Sequence, residues 1–192
     1  MIKKYAELIV KWLINYEAVE ETDKELYEYA IYSMILSASP LILAIIYGAL
    51  ISSVGQGIAM IFPFVVMRKF SGGYHTKHVW SCFVWSNILI FFCLYLSSRI
   101  EFKWELILIT AGAVINLIIF SPIDNENRIL CFEEHKHCKK MVVMIGTILL
   151  TVDILFVSWK LYEYSIGISM GIILSACLQF PCIIKKLKMY VK

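Results

Sequence analysis

Residues 29–67 read YAIYSMILSASPLILAIIYGALISSVGQGIAMIFPFVVM, and not one of these 39 side chains between Glu28 and Arg68 is charged. As a single helix the run would reach about 58 Å, against a hydrocarbon layer of roughly 30 Å. It therefore has to fold back on itself, and Gly55-Gln56-Gly57 is the expected turn. That reading puts span 1 near 29–53 and a short span 2 near 58–67, for which a re-entrant or interfacial segment is the competing reading.

Working outward, four more apolar runs follow at 79–98, 106–123, 141–159 and 164–184. The whole chain of 192 residues is 60% apolar and 17% charged. A soluble domain would be about 45–50% apolar and about 25% charged. This composition excludes a disordered chain, a nucleic-acid binder and a disulfide-stapled secreted module, and the six cysteines read as reduced. The expectation is an all-α integral membrane protein of about six transmembrane helices in one membrane domain.

Six passes put both termini on one side, and the basic residues fit that count. Lys3, Lys4, Lys11 and Lys24, then Arg68, Lys69 and Lys77, then Arg128, Lys136, Lys139 and Lys140, and finally the four lysines after Ile184 all fall on one side. Only Arg99, Lys103 and Lys160 fall on the other. By the positive-inside rule the richer side is cytoplasmic. Residues 1–28 are not expected to be a signal peptide, because Lys11 interrupts the apolar stretch. Ile2, Leu8, Ile9, Trp12, Leu13 and Tyr16 instead fall near one helical face, as in an amphipathic helix lying on membrane lipid. The domain thus divides into an N-terminal segment (1–28), a bundle (29–184) and a basic cytoplasmic tail (185–192).

The stretch Arg68-Lys-Phe-Ser-Gly-Gly-Tyr-His-Thr-Lys-His-Val-Trp-Ser-Cys82 leaves the apolar region basic, turns on Gly72-Gly73 and re-enters with Cys82 near a helix start. A cysteine there, with Arg68, Lys69 and Lys77 close in sequence, has its thiolate favoured. A thiolate beside an imidazole is the minimal kit for nucleophilic acyl transfer. Helical spacing makes His78 the direct neighbour of Cys82, whereas His75 lies roughly 10 Å along the axis unless the Gly-Gly turn folds it back. The plainer reading makes both histidines interfacial polar residues and Cys82 an apolar filler.

Arg68-x3-Gly72-Gly73-x-His75-x6-Cys82 resembles the signature of the AgrB family, quorum-sensing peptide-processing membrane endopeptidases of Gram-positive bacteria. The chain length, the span count and Ser121-Pro122-x-Asp124-x2-Asn127 before a basic loop are similar to that family as well. The resemblance implies a cysteine endopeptidase at the cytoplasmic face in which Cys82 is the nucleophile and His75, rather than His78, the general base and acid. Arg68, Gly72, Gly73 and Asp124 would support them. The implied substrate is an AgrD-like precursor peptide, released from its C-terminal tail through a thioester and closed into a thiolactone. The family implies a homodimer and needs no cofactor or metal.

Other polar residues have plainer readings. Asp153 lies well inside an apolar run and reads as structural. Asn87, Asn116 and Gln179 read as interhelical hydrogen-bonding groups, although the amide of Gln56 or Asn87 is also a candidate oxyanion donor. Cys131-x3-His135-x-His137-Cys138 matches no common zinc spacing and reads as a solvated loop. Gly167-x3-Gly171 has the small-xxx-small spacing of a pairing helix, the expected dimer contact. A non-enzymatic peptide exporter or sensor is the alternative function.

Overall fold

The computed structural model describes residues 2–16, 18–72, 79–123 and 131–184. Among them are seven helices, α1 (Ile2–Asn15), α2 (Lys24–Leu50), α3 (Val54–Ser71), α4 (Val79–Ser97), α5 (Trp104–Phe120), α6 (Phe132–Ser158) and α7 (Tyr162–Cys177), with one isolated bridge between Gly72 and Ile123. The chain groups into two compact units, 1–42 and 43–192.

In the first unit, α1 carries three stripes. Ala6 and Val10 are buried, while Tyr5, Leu8, Ile9, Trp12 and Tyr16 are exposed along an adjoining face, with the Trp12 and Tyr16 rings 4.8 Å apart. Lys3, Lys4 and Lys11 occupy the remaining face, because residues three and four apart share a side of a helix. Of the expected apolar row, Leu8, Ile9, Trp12 and Tyr16 lie on the exposed apolar face with Tyr5 beside them, Leu13 is half-buried, and the Ile2 side chain lies outside the described residues. A 3₁₀ turn at Glu21–Asp23 leads into α2.

The second unit is organised around α7, which is buried almost all round from Ser165 to Ala176. Gly167 meets the Gln56 carbonyl and Ala59 of α3, Gly171 meets Met60, and Ser175 Oγ donates to the Phe64 carbonyl at 3.5 Å. Residue numbers rise together along both helices, so α3 and α7 run parallel. Gly57 lies against Ala44 of α2 and Leu94 of α4, and Gly146 of α6 against Val114 of α5. Two apolar clusters fill the spaces between, one around Met60, Phe64 and Leu94, the other around Met67, Leu117 and Ile172.

Three expectations are corrected here. The chain reverses between α2 and α3 at Ser52, not at Gly55–Gly57. Ser52 takes a left-handed φ of 59°, and the Ser53 N–H donates back to the Gly48 carbonyl at 2.7 Å, a Schellman end. Gly57 is reserved for packing, since a Cβ there would stand 2.9 Å from the Ala44 carbonyl oxygen. The stretch from Cys131 is not a loop either. Helix α6 begins at Phe132, capped where the Cys131 N–H donates to the Glu134 carboxylate at 3.0 Å. Finally, Gly167 and Gly171 are consumed by α3 of the same chain, so that stripe is not a dimer contact.

Two helices among the described residues are long and apolar enough to cross a membrane, Phe132–Ser158 and Tyr162–Ile184. Ala38–Leu50, Val84–Ser97 and Trp104–Phe120 are shorter apolar helices. The second unit also exposes large apolar side chains and buries several polar ones beside its apolar clusters. Trp85, Ile88, Phe92, Leu108, Ile119 and Ile148 are exposed, whereas Gln56, Thr110, Asp153, Ser169 and Gln179 are buried. A soluble protein rarely exposes so many large apolar side chains, and hydrocarbon solvation removes that objection.

Candidate functional site at the joined ends of α3, α5 and α7

Helix α3 ends on Arg68, Ser71 and Gly72. The Arg68 guanidinium lies 5.8 Å from the Phe64 ring centroid, one turn back along the helix. Gly72 has a φ of +70°, and a Cβ there would run into the Ile123 carbonyl. Glycine is thus required both by backbone conformation and by close approach. Opposite, α5 stops at Phe120 and the chain passes through a cis Ser121–Pro122 bond to Ile123.

These two ends are hydrogen-bonded to each other. The Ile123 N–H donates to the Ser71 carbonyl at 3.0 Å, and Gly72 pairs with Ile123 as a parallel bridge. Just beyond the last turn of α7, Gln179 lies fully buried between them. Its Nε2 donates to the Ser71 carbonyl at 3.1 Å and to Ser121 Oγ at 2.8 Å. The first motif therefore meets the second one through backbone and through one glutamine. In the sequence Gln179 reads only as an interhelical polar group. A lone amide in an apolar run was the available signal, and its partners were invisible.

The expected reactive groups continue from these ends. Cys82 belongs to the first turns of α4, but its side chain lies outside the described residues, as do Gly73, His75, His78, Asp124 and Asn127.

The other polar candidates are accounted for elsewhere. The Gln56 amide donates to the Ser97 carbonyl at 2.9 Å at the opposite end of α3, about 24 Å from Gly72 along the axis. Asn87 accepts a hydrogen bond from Tyr47 Oη at 3.0 Å through its Oδ1. Gln56 is thereby removed as an oxyanion donor for Cys82, and Asn87 is tied to α2. Asp153 is fully buried and accepts a hydrogen bond from Ser169 Oγ at 2.8 Å, holding α6 to α7. Ser169 precedes Gln179 by ten residues, about 15 Å along the helix, so Asp153 stands apart from the joined ends. Cys93, Cys131, Cys138 and Cys177 are free thiols. No three His, Cys, Asp or Glu side chains converge as a metal site among the described residues.

The Accessory gene regulator B family model matches residues 6–183. The chain belongs to the AgrB family. It is 26% identical over 180 residues to the "Putative AgrB-like protein" of Clostridium perfringens (strain SM101 / Type A), covering 88% of this chain and 82% of that protein. It is 29% identical over 111 residues to the protein of the same name from Listeria monocytogenes serovar 1/2a (strain ATCC BAA-679 / EGD-e), covering 56% of this chain. That match spans about half of the Listeria protein's own length (54%). No solved structure matches significantly. As an AgrB-family member with helices long and apolar enough to cross a membrane, the chain is a helical membrane protein. The joined ends of α3 and α5 are the described parts of its two motif segments.

Proposed function

We propose that this AgrB-family protein is a membrane cysteine endopeptidase that cuts an AgrD-like precursor and closes the released peptide into a thiolactone for quorum sensing. Cys82 attacks the scissile carbonyl as a thiolate, forming the thioester as the C–N bond breaks. His75 takes the thiol proton and gives it to the departing amine of the C-terminal tail. A cysteine thiol within the precursor then attacks the thioester carbonyl, loses its proton to His75 and releases the Cys82 thiolate. The exchange of one thioester for another is nearly balanced, so excluding water decides between ring and hydrolysis. Arg68 supplies positive charge to the site, and Gly72 and Gly73 the turn that brings His75 back toward Cys82. Asp124, from the second motif, is the proposed supporting carboxylate for the imidazole.

The observation that carries this reading is the union of the two motifs. The residue before Gly73 and the residue before Asp124 are paired backbone to backbone at one end of the bundle. In the same proposal the bundle crosses the bilayer six times as one membrane domain with both termini cytoplasmic. The catalytic end then faces the cytoplasm, α1 rests on the inner leaflet, and two copies form a homodimer. The basic residues after Ser121 and beyond Ile184 meet anionic lipid or the acidic tail of the precursor.

Co-expression with an AgrD-like precursor, followed by mass spectrometry, tests it. The expected product lacks the C-terminal tail and is lighter by one water than the matching linear peptide. An intact precursor accumulating beside folded protein would instead favour the exporter or sensor.

A further inference from the structure

Gln179 carries a polar side chain where an apolar one would pack more cheaply. It is fully buried, and its carbonyl Oε1 has no hydrogen-bond partner. An unpaired buried acceptor costs stability that leucine or methionine at this place would not. Both amide protons are nevertheless used, one on a backbone carbonyl of α3 and one on a hydroxyl just beyond α5. The backbone of Gln179 is itself held, its N–H on the Ala176 carbonyl at 3.0 Å and its carbonyl on the N–H groups of Cys182 and Ile183. A local sacrifice of stability at a motif junction is the pattern expected where geometry serves function.

We infer that Gln179 is a positioning residue, whose amide fork sets the register between the end of α3 and the end of α5. The inference rests on the cysteine-peptidase reading and deepens it. Ser71 and Gly72 lead directly into the segment bearing His75, and Ser121 and Ile123 directly into Asp124. The Ser71 carbonyl accepts from both Ile123 and Gln179, so it is the point on which the two segments turn. Loss of the fork leaves the Gly72–Ile123 backbone bridge, with its Ile123 N–H to Ser71 carbonyl bond, to hold them, and their register loosens. Such a change acts on the transition state through His75 and leaves the precursor surface alone, so it lowers kcat with little effect on KM.

The experiment uses the full chain in lipid nanodiscs with the precursor peptide that the wild-type chain cleaves. Gln179→Leu, Ser121→Ala and the double variant are compared, with folding checked by size-exclusion profile and thermal half-life. Gln179→Leu is expected to lower kcat by about tenfold or more with KM within about twofold, because misplacement near 1 Å costs up to ~10²-fold. Ser121→Ala should lose less, and the double variant no more than Gln179→Leu alone, since both remove the same contact. Gln179→Leu at wild-type kcat, a rise confined to KM, or losses that multiply in the double variant would overturn the inference. Should Gln179→Leu fail to fold, Gln179→Met and Ser121→Ala carry the comparison. Cys82→Ala separates the two levels. If it cleaves normally, the peptidase reading falls and this inference with it. If it is inactive while the Gln179 variant keeps full kcat, only the inference falls.

Discussion

Gly171 faces the Met60 carbonyl so closely that no side chain fits between α7 and α3. One turn earlier Gly167 does the same against the Gln56 carbonyl, at 2.8 Å for an added Cβ. Backbone meets backbone there, and neither partner can rotate away as a flexible side chain would. Without a hydrophobic force between helices in lipid, this intimate contact is what holds the central helix in place.

Gly171→Ala should therefore destabilise the bundle by about 1–3 kcal/mol, the cost of overpacking, despite the better helix propensity of alanine. Gly112 is the matched control. A Cβ there meets nothing within 4 Å, so Gly112→Ala should be neutral or stabilising by up to ~1 kcal/mol. Thermal half-life in one detergent compares them. Equal behaviour of the two variants would contradict the close approach.

Asp153 and Ser169 make a second, testable link between α6 and α7. Asp153→Asn keeps an acceptor for Ser169 Oγ and should cost under about 1 kcal/mol, while Asp153→Leu loses the interhelical bond, typically ~0.6 and at most ~1.7 kcal/mol. Both should cleave precursor within about threefold of wild type per folded molecule, because the carboxylate lies about 15 Å from the joined ends along the helix. A selective loss of cleavage in Asp153→Asn would place the carboxylate in the chemistry.

The proposed pair makes a sharp contrast between two histidines. Cys82→Ala should abolish single-turnover cleavage, and Cys82→Ser nearly so, since a hydroxyl ionises far less than a thiol. His75→Ala should lose about 10²–10⁴ in rate while still binding precursor, whereas His78→Ala keeps most activity. The reverse order for the two histidines would move the general base to His78.

The proposed six passes would assign each inter-helix turn to a side. A membrane-impermeant maleimide should label Glu101→Cys and Lys160→Cys, both exposed, in intact cells. The exposed native Cys131 should react only after permeabilisation. Labelling of Cys131 from outside would invert the topology or remove a span.

Much of this protein was legible in the order of its residues. The apolar runs announced each helix, because burial of apolar side chains is additive along a chain and needs no knowledge of neighbours. The motif around Cys82 and the one around Ser121 were readable for the same reason, as local spacings. Helix ends were less so. The capped start of α6 at Cys131 looked like a loop because its first turns are charged, although charge does not oppose a helix that projects beyond the apolar layer.

The uses of individual residues were decided only by the tertiary structure. Gly57, Gly167 and Gly171 resemble turn or dimer glycines in sequence, yet each is spent on a backbone contact inside the chain. Ser52 bends the chain where no glycine stands, since the turn is held by hydrogen bonds to Gly48 and Ala49. Gln179 lies 108 residues from Ser71 and 58 from Ser121, and nothing local to any of them signals the other two. Apolar burial is written along the sequence one residue at a time. Close approach and directional hydrogen bonding exist only between residues that folding has brought together.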